Sequence, residues 1–169
     1  MDNPATTSLV LLSDVLSKPK SWILAHGEYQ PTSVETSTLQ EHVKALTQGV
    51  PLPYVLGYWQ FFGRKYTITP DVLIPRPETE LLVERAIALS QWKKALKIID
   101  VGTGSGAIAV SLAAALPSAT VIAVDISWAA LEIARENADH LLQRQVIFVQ
   151  CDLISPFDSQ FGLICANLP

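Results

Sequence analysis

The run Asp100-Val101-Gly102-Thr103-Gly104-Ser105-Gly106 constrains this chain more than any other feature. Three of the eight glycines fall within five residues. They lie between Lys97–Val101, which reads as a short buried strand, and Ala107–Leu116, which reads as a helix stopped by Pro117. Glycine permits a sharp turn and lets a ligand approach the backbone, while the following helix offers free N–H groups. The rhythm continues beyond the helix. Val121–Asp125 reads as a second strand, Ser127 as the cap of a helix running to about His140, and Val146–Gln150 and Phe161–Ala166 as two more strands. Strands alternating with helices imply a parallel sheet with right-handed crossovers. The expected fold class is therefore α/β, a Rossmann-like parallel sheet of which the chain holds the first four strands.

Composition agrees with a buried sheet. Of the 169 residues, 49% are hydrophobic and 17% charged, which excludes a disordered tail. A net charge of −4 without a basic stripe argues against attachment to nucleic acid by phosphate neutralisation. Cys151 and Cys165 lie in apolar stretches without metal-ligand spacing, so reduced cysteines, no metal and a cytoplasmic location are expected. The first residues lack the pattern of a signal peptide. The longest apolar stretch, Ala107–Leu116, is interrupted by Ser111 and is too short for a bilayer, so no membrane association is expected.

Two further stretches precede the sheet. Residues 1–50 read as a small helical domain: Leu9, Leu12, Val15 and Leu16 share a face, and Pro19 punctuates the end. Trp22–Leu24 begin a second helix that Gly27 stops, and Thr38 with Glu41 forms a capping box for a third. Residues 51–77 hold five of the eleven prolines and read as a connector. Within it, Tyr58–Phe62 and Lys65–Thr69 alternate around Gly63-Arg64 as a β-hairpin. Pro77 then opens a helix whose positive end suits Glu78 and Glu80, and residues 78–169 form the α/β part.

Two ligand classes fit the glycine run. Gly102, Gly104 and Ala107 satisfy the dinucleotide pattern, with Asp125 close to the expected ~20 residues onward, so an NAD-dependent oxidoreductase stays open. The acids favour S-adenosylmethionine. Asp100 suits the ligand's ammonium group and is badly placed beside a pyrophosphate. Asp125 accepts from both ribose hydroxyls on this reading, and Asp152 reaches the adenine amino group. Beyond the fourth strand lies Asn167-Leu168-Pro169, at the mouth of the expected crevice. Proline holds the preceding residue extended, so the Leu168 carbonyl can join the Asn167 amide in binding a planar NH₂ group.

These features together resemble the peptide-chain release factor glutamine methyltransferases. The resemblance runs through the helical N-terminal stretch, the hairpin, Val72–Glu80, Asp100–Ala107, Asp125, Asp152 and the start of an Asn-Pro-Pro-Tyr-like motif at Asn167. Its most family-specific part is Pro75-Arg76-Pro77-Glu78-Thr79-Glu80. The resemblance implies methyl transfer from S-adenosylmethionine to the glutamine in the Gly-Gly-Gln loop of release factors. It implies cofactor contacts at Gly102, Thr103, Gly104, Ser105, Gly106, Asp125, the Asp152-Leu153 step and Asn167, and a substrate-recognition role for the N-terminal domain. Asn167, Leu168 and Pro169 become the catalytic and substrate-orienting group, with Arg76 and Glu78 as pocket or helix-cap residues.

The chain departs from the family pattern at two points. Leu168 stands where the motif has its first proline, and the motif's tyrosine and further strands would lie beyond Pro169. The 169-residue chain alone is therefore expected to be inactive, with Phe161–Ala166 as an apolar sheet edge and residues 1–50 folding independently. Two other readings remain open at this level. One is another amino-group methyltransferase, acting on a ribosomal-protein glutamine or a nucleic-acid base. The other is an inactive fragment that only binds a partner.

Overall fold

The computed structural model describes residues 3–90, 93, 95–142, 146–158 and 160–168. The chain divides into two compact units, Met1–Gly57 and Tyr58–Pro169.

The first unit is helical: α1 (Pro4–Val15), α2 (Lys20–Ala25), α3 (Ser33–Thr47) and α4 (Leu52–Leu56). Asn3 caps α1 by accepting from the Ala5 N–H, and Pro4 occupies the first turn, where its missing N–H costs nothing. The buried side chains of this segment are Leu11 and Leu16; Leu9, Leu12 and Val15 are only partly covered. The capping box of α3 is Thr32–Glu35, ahead of the expected Thr38–Glu41. Thr32 Oγ1 accepts from the Glu35 N–H, and the Glu35 carboxylate accepts from the Thr32 N–H at 2.7 Å. Thr38 lies inside the helix and its hydroxyl donates to the Val34 carbonyl. The stretch expected as a connector also contains α4, with Pro53 in its first turn and Gly57, at φ +75°, closing it.

The second unit opens with the hairpin β1 (Tyr58–Phe61) and β2 (Arg64–Thr67). Phe61 pairs with Arg64, so the turn is Phe62-Gly63, both at positive φ, and not Gly63-Arg64. The hairpin is fastened to the helices that follow. Glu80 on α5 (Glu78–Ser90) accepts from the Phe62 N–H at 2.8 Å, so this glutamate serves the turn as well as the helix end. The buried Tyr66 hydroxyl meets Ser111 Oγ at 2.9 Å on α6 (Ala107–Ala115). Burial pushes the Tyr66 phenol up to about 12.

Behind the hairpin stands the expected sheet: β3 (Lys97–Val101), β4 (Thr120–Asp125), β5 (Ile147–Gln150) and β6 (Leu163–Ala166), with α7 (Trp128–Leu141) between β4 and β5. All pairings are parallel and the order is β5-β4-β3-β6. Helix α6 is apolar almost all round and buried, which explains why its sequence lacks a polar face. Ile99, Val101, Ile122 and Val124 form one buried face, packed by Val149, Cys151, Phe157 and Phe161. The chain steps from β3 outward to β4 and β5, then returns to the other side of β3 with β6. That reversal puts a crevice at the carboxyl ends of the strands. Among the described residues β6 pairs on one side only, and its Ile164 is 53% exposed. No helix among the described residues is long and apolar enough to cross a membrane.

Candidate cofactor and substrate site

The crevice begins with the glycine loop. Gly102, Gly104 and Gly106 all have positive φ, and the Gly102 and Thr103 N–H groups both donate to the Val124 carbonyl at 2.9 Å. The three glycines are needed for different reasons. A Cβ on Gly102 would lie 2.6 Å from Leu168 Cδ2, and one on Gly106 would lie 3.0 Å from Ala134 Cβ. A Cβ on Gly104 would meet nothing within 4 Å, because that residue faces open space.

Asp125, ending β4, fixes the loop from one side. Its Oδ2 accepts from the Gly104 N–H at 2.9 Å and its Oδ1 from the Ser127 N–H at 3.0 Å. Ser127 in turn caps α7 by accepting from Ala130. Asp100 fixes the loop from below. It is fully buried, and its Oδ2 accepts from the Thr103 hydroxyl at 2.7 Å. Burial pushes this carboxyl up to about 6, the Thr103 hydroxyl pulling in the opposite direction. Burial, with Asp100, raises the Cys165 thiol to about 12, and burial with Asp152 raises that of Cys151.

A cavity of about 270 Å³ opens above the loop. Its lining includes Gly102, Gly104, Asp125, Asp152, Leu153, Asn167 and Leu168 from the residues singled out in the sequence. Asp100, Thr103, Ser105 and Gly106 do not line it; they are buried beneath, where they shape the loop. Sequence reasoning missed Asp71, Val72, Leu73, Ile126 and Cys151 in the wall. The signal for Ile126 was present: it is an apolar residue directly after a strand-end acid, and it is 70% exposed at the rim. Asp71, Asp125 and Asp152 bring three carboxylates to this lining, and no described lining residue is basic. Such a wall suits a cationic ligand with hydroxyl groups better than a diphosphate. The buried Asp100 carboxylate adds to the negative potential below it. The residues present thus fit S-adenosylmethionine.

A second cavity, of about 350 Å³, is lined by Arg76, Glu78, Thr79, Leu82 and Asn167. Asn167 therefore borders both spaces. Its Nδ2 donates to the hydroxyl of Thr79, a buried residue of α5, at 3.2 Å. That bond uses one of the two N–H donors of the amide. Arg76, Glu78 and Asn167, all singled out in the sequence, line this one space. Pro169 lies outside the described residues.

Comparison with known proteins gives matches in both units. Residues 1–57 match the family described as the PrmC N-terminal domain, and residues 92–168 match a family described as a methyltransferase domain. The chain is 40% identical to the release factor glutamine methyltransferase of Bordetella pertussis, over 98% of this chain and 62% of that protein. It is 38% identical to that of Koribacter versatilis, over 99% and 60%. With that of Escherichia coli the identity is 35%, over 99% and 61%. The chain thus spans about three fifths of the length of these curated relatives. Among solved structures, a SAM-dependent methyltransferase from Agrobacterium tumefaciens shares the fold, with TM-score 0.53 and 22% identity, covering 65% of this chain and 39% of that one.

Proposed function

Because this chain belongs to the release factor glutamine methyltransferase family, we propose that the whole protein methylates the side-chain amide nitrogen of the glutamine in the Gly-Gly-Gln loop of peptide-chain release factors. The carrying observation is that Asn167 stands between a carboxylate-lined cavity above the glycine loop and a second cavity at Arg76 and Glu78. S-adenosylmethionine, when bound, supplies an electrophilic methyl group.

The chain's own residues bind and orient. Asp125 keeps lone pairs free beyond its two backbone bonds and receives the ribose hydroxyls. Asp152 takes the adenine amino group, with Ile126 and Leu153 as apolar flanks. Asp100, Thr103, Ser105 and Gly106 act from beneath by holding the loop. The substrate glutamine enters the second cavity, where Arg76 and Glu78 border its path. An amide nitrogen is a weak nucleophile, because its lone pair is delocalised into the carbonyl. Asn167 Oδ1 and the Leu168 carbonyl accept from its two N–H groups. The lone pair then faces the methyl group, and positioning supplies much of the rate. These acceptors bind the nitrogen more tightly as it gains positive charge. The helical unit, residues 1–57, contributes recognition of the release factor. The protein works in the cytoplasm, without nucleic acid, membrane or metal as a partner.

The test is to incubate the whole protein with methyl-labelled S-adenosylmethionine and a bacterial release factor. Label on the Gly-Gly-Gln glutamine, located by peptide mass spectrometry, is expected. Label elsewhere, or none, would overturn the proposal.

A further inference from the structure

A buried asparagine that the reaction does not use joins two walls of the first cavity. Asn137, on α7, is 2% exposed, and among the described residues its side chain bonds to the backbone of two distant segments. Its Oδ1 accepts from the Thr67 N–H at 2.7 Å, and its Nδ2 donates to the Thr67 carbonyl at 3.1 Å and the Ser105 carbonyl at 2.9 Å. Each contact leads to a wall. Ser105 sits between Gly104, which lines the cavity, and Gly106, which packs against Ala134 of the same helix. Thr67 ends β2, after which the chain turns, with the Val72 N–H donating to the Thr69 carbonyl, and delivers Asp71, Val72 and Leu73 to the cavity. A primary amide supplies one acceptor and two donors at these places. An apolar side chain of equal size would leave one N–H and two carbonyls without their partner in the interior.

We infer that Asn137 is a positioning residue for the S-adenosylmethionine site: it holds the glycine loop and the Asp71–Leu73 wall at a fixed separation. The inference rests on the reading of that cavity given above.

The test compares three variants of the whole protein by calorimetric titration with S-adenosylmethionine and by amide exchange. Asn137→Leu removes every bond. Asn137→Asp keeps the acceptor for the Thr67 N–H and loses the amide donors. Tyr66→Phe removes the hydroxyl that joins the hairpin to Ser111 and the Ala107 carbonyl of α6, and takes away no bond made by Gly102–Gly106 or Asp71–Leu73. Asn137→Leu is expected to weaken cofactor affinity by about tenfold and to speed exchange at Thr67, Gly104 and Gly106. Asn137→Asp should do the same at Gly104 and Gly106 while Thr67 stays protected, so it carries the test if the leucine variant does not fold. Tyr66→Phe should lower Tm and leave affinity and glycine-loop exchange within about twofold. The inference is overturned if affinity merely tracks Tm across the variants, or if the Asn137 variants leave Gly104 and Gly106 exchange unchanged. Should the unmodified protein bind no S-adenosylmethionine, the reading of the cavity falls, and the exchange measurement alone decides whether the walls are coupled.

Discussion

The two sides of the first cavity are built by opposite means. The glycine-loop side is backbone, set by positive φ at Gly102, Gly104 and Gly106 and pinned by Asp125, Asp100 and Asn137. The Asn167 side consists of exposed residues, Leu168 being 51% accessible, with the Asn167 amide tied to Thr79 by one described bond. One wall is held by several buried or backbone bonds, the other by a single described side-chain bond. A rigid wall lowers the cost of ordering on binding, and a single well-placed acceptor still sets the direction of approach.

Breaking the rigid wall should give the largest effects. Gly104→Val adds bulk to open space above the loop, so cofactor binding should fall below detection in calorimetry, with a stability loss of about 1–2 kcal/mol from its positive φ alone. Gly106→Val drives its side chain into Ala134 at a positive φ and should cost about 3 kcal/mol in urea denaturation. Equal behaviour of the two variants would abolish the distinction drawn between these glycines. On the looser wall, Thr79→Val frees the Asn167 amide to rotate. The expected outcome is a roughly tenfold fall in kcat with cofactor affinity unchanged, and recovery in Thr79→Ser. A matching fall in affinity would make Thr79 structural.

The smallest effect concerns Asp100. Its carboxyl is raised to about 6, above the unfolded value, so the native state holds the proton more tightly. Its ionisation costs stability progressively as pH rises from the ordinary aspartate range through about 6, and the full cost remains above that. Asp100→Asn keeps an acceptor for Thr103 and should gain stability at pH 8 and little at pH 4, read from Tm against pH. A gain independent of pH would show that the carboxylate is not penalised there.

Local signals made the sheet legible. Apolar runs closed by glycine, proline or a capping serine placed β3, β4, α6 and α7 nearly to the residue, because both strand and boundary are written in adjacent positions. Ambiguity arose where a local signal occurs twice. Both Thr32–Glu35 and Thr38–Glu41 carry the capping pattern, and only the earlier one lies where the chain leaves its turn. The proline pair around Leu52 read as a connector, although proline also suits the first turn of a helix, as in α4.

What the sequence hid is non-local. Asn137 meets Thr67 across 70 positions and Thr79 meets Asn167 across 88, and nothing in either neighbourhood announces the partner. The same applies to the helical unit. Its apolar spacing was visible, yet its buried hydrophobic side chains among the described residues are Leu11, Leu16 and Leu52, against the dense core around β3 and β4.

The most direct test of the central claim is calorimetric titration of the whole protein and its Asp125→Ala variant, each with S-adenosylmethionine and with NAD. Saturable binding of S-adenosylmethionine at one site is expected, weakened at least about tenfold by Asp125→Ala, with no binding of NAD. Equal affinity in the variant, or a preference for NAD, would contradict the account.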